Sequence, residues 1–326
     1  MVRSGTRLGP VLVFGILAIA SLTVLSRADA ALGPARMKLV TRAVLPKVRL
    51  AASARGLSRS VRILTALPEG KVRVPLELTG PPHGLAYEWI ALGSEGAPGV
   101  ARSLVGPIVA PREPGFYRLA VLRDGERRIV DSLTLGVMKP LTEKEGASIN
   151  GYRIGFYRGE RRGNVEGVPE GFLEILEEHA TLPISAHLDL SDFITHDTQT
   201  SWPRYIAMDP RLLDKLELVF EEIIRLRGRG DSVAVDVHSG FRTPLHNRRV
   251  VRAAGDSRHQ YGDAADVAVD ANGDGRISAA DILLITRAVE AVERDHPELV
   301  GGLGTYGRGA TYVHIDVRGQ SARWRG

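Results

Sequence analysis

Ser257-Arg258-His259-Gln260-Tyr261-Gly262-Asp263-Ala264-Ala265-Asp266 is the stretch on which the reading of the C-terminal half turns. It holds an imidazole, a turn residue and a carboxylate, and its end belongs to an apolar run, residues 264–269, that reads as a strand. Upstream lies Ser239-Gly240-Phe241-Arg242-Thr243-Pro244, at the end of a strand pattern with Val233, Val235 and Val237 on one face. Downstream, Gly301-Gly302-Leu303-Gly304 leads to Tyr312-Val313-His314-Ile315-Asp316. The 326 residues include no cysteine, which excludes disulfides and thiolate ligands and leaves imidazoles and carboxylates for any metal. Two imidazoles and one carboxylate suit a zinc that keeps a fourth position for water.

Taken in order, these segments resemble the D-Ala-D-Ala metallopeptidases, the wider group that includes lysostaphin-type endopeptidases and the hedgehog zinc fold. The pattern S-x-H-x-x-G-x-A-x-D is met by Ser257, His259, Gly262, Ala264 and Asp266. The strand motif H-x-D is met by His314 and Asp316, and S-G-[FY]-R-[ST]-P by Ser239 to Pro244. The ending, Gly-Gly-x-Gly-x-Tyr, then Val-His-x-Asp and Arg323-Trp324, is most similar to the periplasmic murein endopeptidases.

The resemblance covers residues 150–326 and implies an α+β zinc domain, 151–326, with an antiparallel sheet of the hedgehog/D-Ala-D-Ala-peptidase type. It implies zinc on His259, Asp266 and His314, with Arg242 holding the developing oxyanion and Ser257 orienting substrate or the ligand loop, or capping a turn. The implied substrate is a peptidoglycan cross-link peptide cleaved by an endopeptidase. The alternatives are a D-Ala-D-Ala carboxypeptidase and a non-catalytic zinc-containing wall-binding protein. Relatives carry Glu, Asp or a second His two or three residues before the last ligand to move the water's proton, and here those positions are Thr311 and Tyr312. Asp316, on the same strand face as His314, is read as that base or as a partner of the imidazole. His238, His246 and Asp263 are further candidates, and His187 and His196 are left to line a cleft.

Just after Asp266, residues 270–281 meet the side-chain positions of a calcium-binding EF-hand loop, with Asp in place of the last Glu. Asp270, Asn272, Asp274, Ser278 and Asp281, with the Arg276 carbonyl, form the expected Ca2+ shell. The loop resembles a single dockerin repeat. Ile282, Ile285, Val289 and Val292 mark a following helix, whereas no entering helix is expected.

The rest of the chain frames this region. Residues 55–139 alternate short strands with Gly and Pro clusters and read as a small all-β, Ig-like sandwich, with the hairpin turn at Asp124-Gly125 and a single strand across 72–78. Residues 140–150 read as a linker. A helix is expected to start at Asp209-Pro210, with Leu212, Leu216, Val219 and Ile223 on its apolar face, and to end near Gly228. Arg3 and Arg7 precede an apolar run over 8–25 and the triplet Ala28-Asp29-Ala30, so residues 1–30 read as a signal peptide or an uncleaved membrane anchor. Export to the periplasm or cell envelope follows, with inner-membrane anchoring if the leader stays. Lys and Arg exceed Asp and Glu by 43 to 38, scattered without a basic run, which favours an anionic wall over nucleic acid as surroundings.

Overall fold

The computed structural model describes residues 45, 47–50, 61–80, 82–94, 99–164, 167–228, 230, 232–307, 309 and 311–326. The expected leader, 1–30, lies outside them. Among the described residues, no helix is long and apolar enough to cross a membrane.

The N-terminal β region is one five-stranded sheet plus two short ladders whose apolar residues share a core with it. The sheet runs in the order Arg62–Ala66, Glu126–Val137, Gly115–Arg123, Ala86–Ala91, Arg102–Ser103. Its first pair is parallel and the others antiparallel. The ladders join Val48–Leu50 to Leu76–Leu78 and Lys71–Val72 to Ile108–Val109. The strand expected across 72–78 is therefore split at residues 73–75, where Pro75 has no N–H to give a ladder. The hairpin is as the dipeptide suggests: Asp124 (φ 51°) and Gly125 (φ 82°) both take positive φ, and Arg123 pairs with Glu126.

The stretch read as a linker carries structure instead. Leu141–Glu143 is a 3-10 turn, and Ser148–Ile149 pairs with Tyr152–Arg153. Ile149 and Tyr152 are buried in the C-terminal core, so the polar residues around them hide an anchored hairpin. That core also takes in Ile63 and Phe116 from the N-terminal sheet. Phe116 meets the His179 ring edge-on at 5.0 Å, and a Cβ on Gly136 would lie 2.4 Å from Leu173. Residues 43–326 gather in one compact unit.

Two helices support the sheet that carries the site. The first, Pro210–Arg227, begins where Asp209 accepts from the Arg211 N–H and ends on Gly228 at φ 68°; Leu212, Leu216, Val219 and Ile223 are fully buried. The second, Ala279–Asp295, packs on it and begins with a capping box between Ser278 and Asp281. The sheet runs Val235–Ser239, Ala264–Val269, Val313–Asp316, Gly302–Thr305, Ala322–Arg325. It is antiparallel as expected except at the last pair, where Ala322–Arg325 runs parallel to its neighbour. A three-stranded sheet, Lys139–Pro140, Gly171–Ile175 and Arg204–Ile206, adds further cover.

Candidate metal centre

Register brings the site together. Asp266 pairs with His314 across adjacent strands, so both side chains leave the same sheet face. His259 arrives from the 3-10 turn Arg258–Tyr261, which ends on Gly262 at φ 72°. A Cβ on Gly262 would meet the Ala207 carbonyl at 2.2 Å, so only glycine lets this turn close against its neighbour.

His259, Asp266 and His314 are all buried, and among the described residues they are the one convergent cluster of three or more His, Cys, Asp or Glu donors. Their facing atoms are close. His259 Nε2 lies 3.3 Å from Asp266 Oδ1 and 3.1 Å from His314 Nδ1, and His314 Nδ1 lies 3.1 Å from Asp266 Oδ1. Four-coordinate zinc with bonds of about 2.0–2.1 Å has donor atoms about 3.3 Å apart, so the triangle has the size of one tetrahedral face.

The outer nitrogens explain which lone pairs face inward. His259 Nδ1 lies 2.7 Å from the Gly240 carbonyl, and His314 Nε2 lies 3.0 Å from Asp316 Oδ2. Both partners only accept, so each outer nitrogen carries the hydrogen and, in the neutral imidazoles, the inner ones present lone pairs. Three acceptors then face one another and require a proton or a metal cation among them. Burial raises the Asp266 carboxyl, but the adjacent His259 and His314 imidazoles outweigh it and hold the group well below the usual carboxylate range. Burial lowers His259. For His314, burial acts the same way but is overcome by Asp266 and Asp316, so its pKa is raised.

Asp316 sits behind the triad. Its side chain is fully buried, accepts from the Gly302 and Arg318 N–H groups, and is paired with the Arg318 guanidinium. A Cβ on Gly301 would strike the Asp316 backbone carbonyl at 1.9 Å, one on Gly302 the Asp316 carboxylate at 2.3 Å, and one on Gly304 the Trp324 ring at 2.4 Å. The Gly-Gly-x-Gly segment thus exists so that a locked carboxylate and an indole can approach. Trp324 packs on His314 at 5.0 Å between ring centroids. Deeper still, Lys215 is fully buried and donates to Glu293 (2.6 Å) and to the Asp316 carbonyl (2.7 Å), tying both helices to the His314 strand.

Arg242 is at the site but already engaged. Its Nε donates to Ser239 Oγ at 2.7 Å and its Nη2 to Asp266 Oδ2 at 2.5 Å, while its own N–H bonds the His259 carbonyl. Ser257 is buried, and its carbonyl accepts from the Gln260 N–H, but its hydroxyl makes no cap bond. Asp263 is buried and paired with Arg258. His187 pairs with Glu217 on the first helix. Two further imidazoles stand on elements that adjoin the site residues in sequence. His238 lies against the Tyr312 ring at 5.0 Å, and His246 follows Arg242 in the short helix Pro244–Asn247.

The expected calcium shell is not assembled. Asp270, Asp274 and Asp281 do not converge as a donor cluster among the described residues. Instead Asp270 accepts from the N–H groups of Gly273, Asp274 and Gly275, Asp274 from that of Arg276, and Asp281 from those of Asn272 and Ser278. Asn272 Oδ1 accepts from the Asp274 N–H, and Ser278 Oγ from that of Ala280. Missed in the sequence were the Arg242–Asp266 pair, the Lys215 anchor and the place of Tyr306 beside Tyr312, although Tyr306 stands in the quoted Gly-x-Tyr segment.

Residues 208–316 match the Peptidase M15 family model, a span that starts just before the first long helix and ends on Asp316. The chain is also similar to the L-Ala D-Glu endopeptidase ChiX of Serratia marcescens, at 23% identity over 34% of this chain and 80% of that one, with a TM-score of 0.26. No curated protein sequence matches the chain.

Proposed function

We propose that this protein is a zinc-dependent peptidase of the exported cell envelope that cleaves peptidoglycan peptides, as an endopeptidase on cross-links. The observation that carries it is the buried triangle of His259, Asp266 and His314, whose hydrogen-bonded outer nitrogens leave three acceptors facing one another. The M15 match over the same segment supports the peptidase reading, and the murein-endopeptidase motifs support the substrate. The donor set fits zinc, with no thiolate and one carboxylate.

When bound there, zinc supplies Lewis acidity to a scissile carbonyl and lowers the pKa of a water. The chain's residues do the rest. Gly240 and Asp316 fix the tautomers of His259 and His314, and Arg242 holds Asp266 by its outer oxygen. Asp316, fully buried and paired with Arg318, orients His314 and does not take the proton. That role falls to His246 or His238, the imidazoles left free of the triad. Ser257, at the start of the His259 turn, holds that turn. The N-terminal β region acts as a wall-side spacer, and the leader at 1–30 directs export or anchors the chain.

Purified protein incubated with cross-linked muropeptides tests this. Cleavage that a chelator abolishes and zinc restores is expected. Zinc retention without cleavage would favour a wall-binding protein instead, and release of only terminal D-Ala would favour a carboxypeptidase.

A further inference from the structure

One face of the sheet carries three rows of side chains, set by register. The middle row holds Asp266, His314, Gly304 and Trp324, which are successive cross-strand partners. Along the His314 strand in one direction lies Asp316, with Gly302 beside its carboxylate, sealed by Arg318. In the other direction lies Tyr312, and pairing of Thr305 with Val313 sets Tyr306 beside it. The rings of Tyr306 and Tyr312 are 4.8 Å apart, and His238 meets Tyr312 from the far side at 5.0 Å. Their flanking strands lie either side of Ala268, a small buried residue two places from Asp266. The rows are unequal. The Asp316 row is closed, and the aromatic row, half-buried at Tyr306 and Tyr312, is the one a substrate can reach.

An acyl-transfer site needs donors aimed at the oxygen where negative charge develops. Arg242 has two of its nitrogens committed to Ser239 and Asp266, and turning it away would release the outer oxygen of a metal-binding carboxylate. A neutral donor with no such obligation is better placed for the task. Resting on the peptidase reading above, we infer that Tyr306 is a catalytic residue: its phenol donates a hydrogen bond to the substrate's carbonyl oxygen as that oxygen becomes negative.

The electrostatics agree with a donor and not a base. Burial first, then the negative charge of Asp266, keep the Tyr306 hydroxyl well above the usual phenol range, with Arg242 opposing. Tyr306 therefore keeps its proton at neutral pH. Its proton is shared with the oxyanion, not transferred, so no bond of the phenol breaks.

Tyr306→Phe keeps the ring against Tyr312 and removes only the hydroxyl. A phosphinate peptide, which carries a charged tetrahedral centre, and the uncleaved parent peptide serve as probes, titrated into zinc-loaded wild type and variant by calorimetry. The variant should bind the phosphinate at least about 10-fold more weakly, bind the parent peptide equally, hold the same zinc content, and lose about 10²-fold in kcat with little change in KM. Equal phosphinate affinity in the two proteins would overturn the inference. So would a loss in Tyr312→Phe with none in Tyr306→Phe, which would move the donor to the neighbouring ring. Absence of cleavage by the wild type contradicts the peptidase reading alone, because the phosphinate comparison still reports whether this hydroxyl meets a charged oxygen at the site.

Discussion

Asp316 shows how much one side chain's partners decide. Two residues after His314, it shares that residue's face, and from the sequence it serves equally as proton acceptor or imidazole partner. In the structure the carboxylate points at His314 Nε2 and is filled by Gly302 and Arg318, which favours the imidazole-partner role. Asp316→Asn is expected to leave the fold in place and weaken zinc binding about 10- to 100-fold, read by competition with a chromophoric chelator. Unchanged zinc affinity with lost cleavage would return Asp316 to the role of base. The convergence of His259, Asp266 and His314 was legible through the ordered motifs that carry the family resemblance, not through the spacing of any one pair. Arg242's bond to Asp266 was not, since the same arginine at the same position reaches either a ligand carboxylate or a substrate, and only its rotamer tells which. A second test at this scale concerns the base. Burial, helped by Arg242 and His196 and opposed by Asp197, lowers the pKa of His246. As base it must be neutral, so activity should rise with pH through that lowered pKa and be complete by the ordinary imidazole value. His246→Gln should remove this limb from the kcat profile. A limb that persists in the variant and disappears in His238→Gln would assign the base to His238.

Among elements, those with strong local signals formed as their residues dictate. The Asp209-Pro210 helix start, the Gly228 stop and the Asp124-Gly125 hairpin need nothing from the rest of the chain. The loop 270–281 is the contrary case. Its acidic spacing matches a cation shell, yet each carboxylate finds nearer partners in backbone N–H groups, and Asp281 is fully buried as a helix cap. The pattern alone cannot tell the two apart, because both gather oxygens around a tight turn. Asp270→Ala removes the acceptor for three N–H groups, so a loss of about 1–3 kcal/mol is expected, equal with calcium added or chelated. Thermal melts in both conditions check this. A calcium-dependent rise in Tm that the variant lacks would restore the calcium shell.

Across the whole molecule, the expected boundary between an all-β half and the site-bearing half is bridged by packing. Residues 140–150 looked like a linker because their composition is polar, but Ile149 needs only one neighbour such as Tyr152 to be drawn into the core, and periodicity cannot register a two-residue strand. Ile63 and Phe116 join the same core from the N-terminal sheet. Phe116→Ala, far along the chain from any ligand, should therefore lower stability by about 3–5 kcal/mol and shift the same melting transition that releases zinc. Two separate transitions, with zinc release unaffected, would show that the halves unfold independently.

The most direct measurement is X-ray absorption at the zinc edge on the full chain loaded with one equivalent of zinc. Two imidazole nitrogens and further oxygen donors, all at about 2.0–2.1 Å, are expected, falling to one imidazole in His314→Ala. Failure to hold one zinc per chain, or an unchanged imidazole count in that variant, would contradict a centre built on His259, Asp266 and His314.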